Sequence, residues 1–313
     1  MALINFTGDA NQKTYQPALY CYAEITGEIH TQLMCLSVLN FLLSITAFLG
    51  NTLILAALHK VSSIHPQYKS KLLFGNLAIT NLCVGIIAEP LAVAYWMSSV
   101  NERWNICRFA AATSFIISYL LCSVSLFTLT AISVDRLLAL LLGHRYRQIV
   151  TLKRTYVTVT IFWLTCIFGS TMFLWSKPAY FWFGYIGIPL CLVTSGYSYT
   201  KIFITLHHRQ NQLQGNMQGQ QSQTSHLNIA RYRKAVFGTL WLQLTLVACY
   251  LPYNITWPLT QDGLSPAAYL ARAFTVTLIY LNSSINPILY CWNIREVRQA
   301  VKNTIRQLFC SPN

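Results

Sequence analysis

Asp135-Arg136-Leu137 closes an apolar stretch that runs unbroken in character from Ile106 to Leu142. Ionised side chains in or beside a bilayer are costly, so they are rare there and usually serve function. Asn286-Pro287-Ile288-Leu289-Tyr290, inside the last apolar segment, is the second unusual element. A proline within a membrane helix breaks the backbone ladder, and neighbouring helices or polar side chains must satisfy the freed groups. Together the two elements point to a bundle whose inner face can rearrange.

Working outward, the whole chain shares this character. Of its 313 residues 54% are hydrophobic and 10% charged, whereas a soluble domain carries about 25% charged residues. Crossing a bilayer takes about 20 apolar residues per helix. Suitable stretches fall at 33–58, 72–97, 106–138, 156–175, 179–206, 235–258 and 267–292. The expected fold is therefore an all-α membrane protein, a seven-transmembrane helix bundle with a short amphipathic helix after the seventh span. Residues 1–32 read as an extracellular tail, 33–292 as the membrane domain, and 293–313 as a cytoplasmic amphipathic helix and tail.

The net charge of +14 is unevenly placed. With the N-terminus outside, Lys13, Arg103, Arg108, Lys177 and Arg272 are matched in the outer segments by Asp9, Glu24, Glu28, Glu102 and Asp262. The remaining basic residues gather on the inner side, where the only acids are Asp135 and Glu296. This follows the positive-inside rule and implies N-out, C-in topology at the plasma membrane. Anionic inner-leaflet lipid explains the basic excess better than nucleic acid does. Residues 1–32 lack the pattern of a cleavable signal peptide, so the first span is expected to act as the targeting signal. Asn5-Phe6-Thr7 is a glycosylation acceptor on the outer tail.

Of the ten cysteines, Cys21 and Cys107 fall in an oxidising outer region, and a disulfide between them is the expectation. Two free thiols, with Cys107 packed at a helix start, is the alternative. Residues 207–230 read as a polar, flexible connector rich in Gln, Gly and Ser. The loop between the fourth and fifth spans, Ser176 to Pro178, is very short and has no cysteine. The seven histidines make no metal spacing within a span, so neither a cofactor nor a metal is implied and an enzyme is disfavoured. No internal repeat and no chain of ionisable residues supports a transporter. A non-signalling receptor-like protein, a scavenger or receptor partner, is the other rival.

Span by span, the chain resembles the class A (rhodopsin-like) G-protein-coupled receptors over essentially its whole length. Gly50-Asn51 matches the first-span motif, and Leu77-Ala78-Ile79-Thr80-Asn81 stands where the family has Leu-Ala-x-x-Asp. Asp135-Arg136-Leu137 is similar to Asp-Arg-Tyr, Trp163 to the fourth-span tryptophan, and Pro189 with Tyr197 to the fifth-span pair. Cys249-Tyr250-Leu251-Pro252 resembles Cys-Trp-x-Pro, and Asn286-Pro287-Ile288-Leu289-Tyr290 is an intact Asn-Pro-x-x-Tyr. A short cysteine-free loop before the fifth span is similar to the adenosine, melanocortin, cannabinoid and lysolipid receptors, although Pro189 departs from the last three.

The resemblance implies an outside ligand, a population shift toward an inward-open bundle, and nucleotide exchange on a heterotrimeric G protein. Arg136 would be held by Asp135 at rest and released toward Tyr197 and the G protein. Tyr197 and Tyr290 would approach on opening, Pro252 and Pro287 would supply kinks, and Tyr146 in the second inner loop would touch the G protein. Arg295, Glu296, Val297 and Arg298 would begin the amphipathic helix, and Cys310 is a candidate for palmitoylation. Pocket positions transferred from the family are Ser118, Tyr119, Cys122, Phe181, Tyr185, Tyr253, Asn254, Trp257 and Tyr280.

Three departures from the family pattern matter. Asn81 replaces a sodium-binding carboxylate, and its matching neighbours Asn51, Ser125, Asn282 and Asn286 are neutral. Little sodium effect and raised basal activity are expected. Tyr250 replaces a tryptophan below the pocket. Ser118 stands where amine receptors carry aspartate, which argues against a simple biogenic amine; the absence of a lysine at Tyr280 argues against retinal. Glu89, the one carboxylate in the outer half of the bundle, has two readings. It could hold a ligand cation, or it could pair with Arg272 or Arg108.

Overall fold

The computed structural model describes residue 21, residues 27–60 and 68–215, 241 and 243–260, 265–293, and parts of 298–306. Among the described residues every regular element is helical. The first span is His30–Lys60. The second comprises Tyr68–Cys83, a π-helical turn Val84–Ala88, and Glu89–Val100. The third is Trp104–Leu142, the fourth Leu152–Trp175 and the fifth Lys177–Gly215. Residues 243–259 form the described part of the sixth, and Pro266–Asn293 forms the seventh.

Five of these helices are long and apolar enough to cross a membrane. The seventh falls short on hydropathy because it carries Asn282, Ser283, Ser284 and Asn286, all of them buried. The distribution of polarity is that of a protein in lipid. Asn40, Asn51 and Asn81 are wholly enclosed, while Phe41, Leu49, Leu164, Val193 and Ile288 face outward. Lipid tails solvate the apolar exterior, and the polar side chains find partners only within the bundle.

Local signals set the helix ends. Thr151 caps the fourth helix by accepting from Arg154 N–H at 3.3 Å, and Ser265 caps the seventh by accepting from Ala268 N–H at 3.2 Å, with Pro266 at the first helical position. Gly143, at φ 49°, ends the third helix in a conformation that glycine adopts without steric cost. Ser176 alone separates the fourth helix from the fifth. The fifth helix continues to Gly215, so the first part of the expected 207–230 connector is helical; residues 216–240 lie outside the described residues.

The third helix packs against the second, fourth and fifth, and the first packs against the second and seventh. Two glycines permit close approach. A Cβ on Gly50 would lie 2.9 Å from Pro287 Cγ, and one on Gly85 would lie 2.9 Å from Ala47 Cβ and 3.1 Å from the Ser44 carbonyl. Gly85 lies in the π turn, where the helical ladder is disturbed; its carbonyl accepts from the Ser44 hydroxyl at 2.6 Å. Asn76 ties three spans together. It donates to Thr128 Oγ1 at 2.8 Å and accepts from Trp163 Nε1 at 3.0 Å. At the end of the bundle where the third helix starts, Cys21 and Cys107 form the expected disulfide.

Candidate functional site

A cavity of about 150 Å³ opens among the second, third, fifth, sixth and seventh spans. Third-span residues Ser118, Tyr119 and Cys122 line it, as do Phe181 and Tyr185 on the fifth. Tyr253, Asn254 and Trp257 contribute from the sixth, and Tyr280 from the seventh. The family-transferred positions thus come together around one space. Ser118 and Tyr280 hydroxyls are 2.7 Å apart. Asn254 Nδ2 reaches the Tyr185 carbonyl at 3.4 Å, and Phe181 stacks on Trp257 with ring centroids 4.5 Å apart.

Sequence reasoning missed part of the wall. Tyr95 and Trp96 line it from the second span, and Tyr180 from the start of the fifth. Tyr180 donates to the Phe115 carbonyl at 3.1 Å and lies 4.6 Å, centroid to centroid, from Tyr119. Their aromatic character was visible; the helix rotation that turns them inward was not. Tyr250 also lines the floor and donates to the Cys122 carbonyl at 3.3 Å, so its hydroxyl has the partner that burial demands.

Arg272 and Glu89 stay apart. The Arg272 guanidinium lies 4.3 Å from the Trp257 ring centroid and donates to Thr260 Oγ1 at 2.6 Å and to the Thr260 carbonyl. Arg108 is exposed near the start of the third helix. The pairing reading for Glu89 is therefore corrected: its carboxylate is 0% exposed, and both oxygens lack a hydrogen-bond partner. Glu89 is also absent from the cavity lining, lying one turn below Ala92, which is on the wall.

Below the cavity lies a neutral polar cluster. Asn81 Oδ1 accepts from Ser125 at 2.8 Å and from Ser283 at 3.2 Å. Asn51 donates to the carbonyls of Ala47 at 2.8 Å and Ser283 at 3.1 Å. Ser283, unremarked in the sequence, is thus the seventh-span residue that joins Asn51 to Asn81. Asn282 and Asn286 are enclosed nearby, each with its side-chain nitrogen unpartnered.

At the opposite end of the third helix, Asp135 is buried and accepts from Tyr146 Oη at 2.6 Å. Tyr146 opens the short helix Tyr146–Ile149, which follows the turn Gly143–Arg145. The Arg136 guanidinium sits 5.4 Å from the Phe74 ring centroid. Tyr197 is 60% exposed, with the Lys201 ammonium 5.8 Å from its ring. It is Tyr199 that turns inward, beside Ser133 and Arg136. Pro252 and Pro287 both lie within helices. The side chain of Tyr290 lies outside the described residues, as do Asn5, Arg295, Glu296, Val297 and Cys310; Arg298 is helical.

A cavity at one end of a helical bundle, an Asp-Arg pair at the other and a polar core between them match a single family description. Residues 50–179 and 175–290 fit the model for the 7 transmembrane receptor (rhodopsin family). The chain belongs to this rhodopsin family of G-protein-coupled receptors. Human galanin receptor type 1 is 27% identical over 290 residues, covering 82% of this chain and 78% of the relative. Sheep adenosine receptor A3 is 24% identical over 311 residues, covering 88% and 90%. Dog adenosine receptor A2a is 22% identical over 305 residues, covering 84% and 70%. The chain is thus a multi-pass membrane protein of a non-enzymatic receptor family. Galanin and adenosine receptors match to a similar degree, so the subgroup stays open.

Proposed function

We propose that this chain is a ligand-activated receptor at the plasma membrane, N-terminus outside, which promotes nucleotide exchange on a heterotrimeric G protein. The observation that carries this reading is the separation of two sites on one rigid element. Cys122 lines the cavity and Asp135 holds Tyr146 on the same helix, roughly 20 Å apart at 1.5 Å per residue.

The cavity suits a small organic ligand with apolar or aromatic surface and a few hydrogen-bonding groups, since its wall is tyrosine-rich, with Ser114, Ser118, Ser123 and Asn254 as neutral polar points and the Arg272 guanidinium as its one charge among the described residues. A ligand that prefers one arrangement of the fifth, sixth and seventh helices shifts the bundle toward it. The neutral cluster of Asn51, Asn81, Ser125, Ser283, Asn282 and Asn286 lies in the path and can exchange hydrogen bonds without moving a charge. At the inner mouth, release of Asp135 by Tyr146 would free the neighbourhood of Arg136 for the G protein. Tyr197 on the outer face of the fifth helix would have to turn inward to join Arg136, with Tyr290 approaching from the seventh.

Nucleotide exchange on a set of purified heterotrimeric G proteins tests the reading. Membranes containing the chain are expected to accelerate exchange on at least one G protein, and Arg136→Ala is expected to abolish it while leaving surface expression intact. Exchange that is indifferent to Arg136→Ala would overturn the reading.

A further inference from the structure

Glu89 is the least explained side chain in the bundle. It opens the helix Glu89–Val100, immediately after the π turn Val84–Ala88. It is completely enclosed, and neither carboxylate oxygen has a hydrogen-bond partner. A lone charge in apolar surroundings costs far more than one that is paired and hydrogen-bonded. The two arginines that could have paired with it from the outer half are placed elsewhere, Arg272 on Thr260 and Trp257 and Arg108 at the exposed helix start.

The environment says what would complete it. Cys122 and Tyr280 lie within electrostatic reach of the Glu89 carboxylate, and both form cavity wall. Ala92, one turn outward on the same helix, is also on the wall and carries only a methyl group. The Tyr280 hydroxyl is held by Ser118 at 2.7 Å. The same hydroxyl lies beside Ser114, so an arm that displaces Tyr280 has to replace both contacts. Tyr95 and Tyr119 line the same cavity, and aromatic rings accept a cation on their faces; Arg272 lines it too, against Trp257, so Glu89 is the charge that draws an amine away from that guanidinium.

We propose that Glu89 is a recessed anionic subsite of the ligand pocket, taking the protonated amine of a ligand whose aromatic end sits against Phe181 and Trp257 and whose narrow arm passes between Ser118 and Tyr280. The inference rests on the reading of the cavity as a ligand site. It also says how the amine is recognised: from the second span, one turn below the cavity wall, and not from the third-span position occupied by Ser118. A compact amine without an arm would not reach it. Displacing Tyr280 couples occupation of the subsite to the seventh helix, three residues above Ser283 of the polar cluster.

The test uses ω-phenylalkylamines of increasing arm length, each paired with the alcohol of the same shape, added to the purified full chain in detergent. Thermal unfolding and the quenching of tryptophan fluorescence are the readouts. The amines are expected to stabilise the chain more than the matching alcohols, with an optimum arm length. Glu89→Gln is expected to weaken the best amine at least ~30-fold, the scale for removing one partner of a buried charge pair, while leaving the alcohol unchanged. If Glu89→Gln does not fold, the amine-against-alcohol comparison on the natural chain still decides. The proposal is overturned if amine and alcohol act alike, if neither acts, if sodium chloride alone reproduces the amine effect, or if Glu89→Gln keeps the amine preference. These outcomes are separate from G-protein exchange: an amine that needs Glu89 on a chain without exchange activity leaves the subsite standing and removes the receptor reading.

Discussion

Tyr146 and Asn81 show how single residues set the resting state. The Tyr146 hydroxyl donates to Asp135 at 2.6 Å, and a hydrogen bond to a charged group contributes about 1.5–3 kcal/mol. Tyr146→Phe is expected to raise ligand-independent nucleotide exchange about tenfold, on the scale of a single such bond. An unchanged basal rate would mean that this contact does not restrain Asp135. Asn81 offers only an amide oxygen, already accepting from Ser125 and Ser283. A carboxylate there would attract a monovalent cation by about 4 kcal/mol at 4 Å and an effective dielectric of ~20. The melting temperature of the natural chain is accordingly expected to be the same in sodium and potassium salts, and Asn81→Asp to acquire a rise specific to sodium. A sodium-specific rise in the natural chain would show that the neutral cluster holds the ion without a carboxylate.

At the scale of elements, the seventh and second spans are held against the first by close backbone approach. Their contacts are van der Waals packing plus a few hydrogen bonds, such as Asn40 to Thr277 at 2.9 Å and Ser44 to Gly85 at 2.6 Å, because lipid supplies no hydrophobic drive between helices. Gly85→Ala places a methyl 2.9 Å from Ala47 Cβ and 3.3 Å from Phe48 N, atoms that cannot swing away. It is expected to destabilise the purified chain by about 1–3 kcal/mol, as overpacking does. Gly75→Ala, with nothing within 4 Å of the added methyl, serves as the control and is expected to be neutral or slightly stabilising. Equal melting temperatures for the two variants would remove the close-approach argument. The π turn belongs to the same scale: it precedes Glu89 directly, so the rotation it introduces helps decide which face of the second span the carboxylate occupies.

At the scale of the molecule, the Cys21–Cys107 disulfide joins the segment before the first span to the start of the third. It closes a long loop, and removing a bridge of this kind costs roughly 2–4 kcal/mol. Cys107→Ser is expected to lower the melting temperature and the amount reaching the cell surface, and a thiol-reactive label is expected to spare both cysteines until a reductant is added. An epitope placed at the N-terminus should be accessible on intact cells, as N-out topology requires. Detection only after permeabilisation would reverse the topology and place both sites on the wrong sides.

Much of this was legible in the chain alone. Hydropathy marks most of the spans because every backbone polar group in a bilayer must be satisfied within its own helix; the seventh, with its buried Asn and Ser side chains, falls short and is marked by its motif instead. The order of motifs from Gly50-Asn51 to Asn286-Pro287-Tyr290 identifies the family, and the scarcity of outer cysteines pairs Cys21 with Cys107. Helix rotation and long-range contact were not legible, because they depend on which faces meet. Tertiary structure alone turned Tyr199 inward and Tyr197 outward, gave Tyr146 to Asp135, and made Ser283 the bridge between Asn51 and Asn81. It also decided Glu89. Local sequence shows only that an acid lies in a membrane span; that its carboxylate has no hydrogen-bond partner among the described residues emerges from the placement of Arg272 and Arg108, residues far away along the chain.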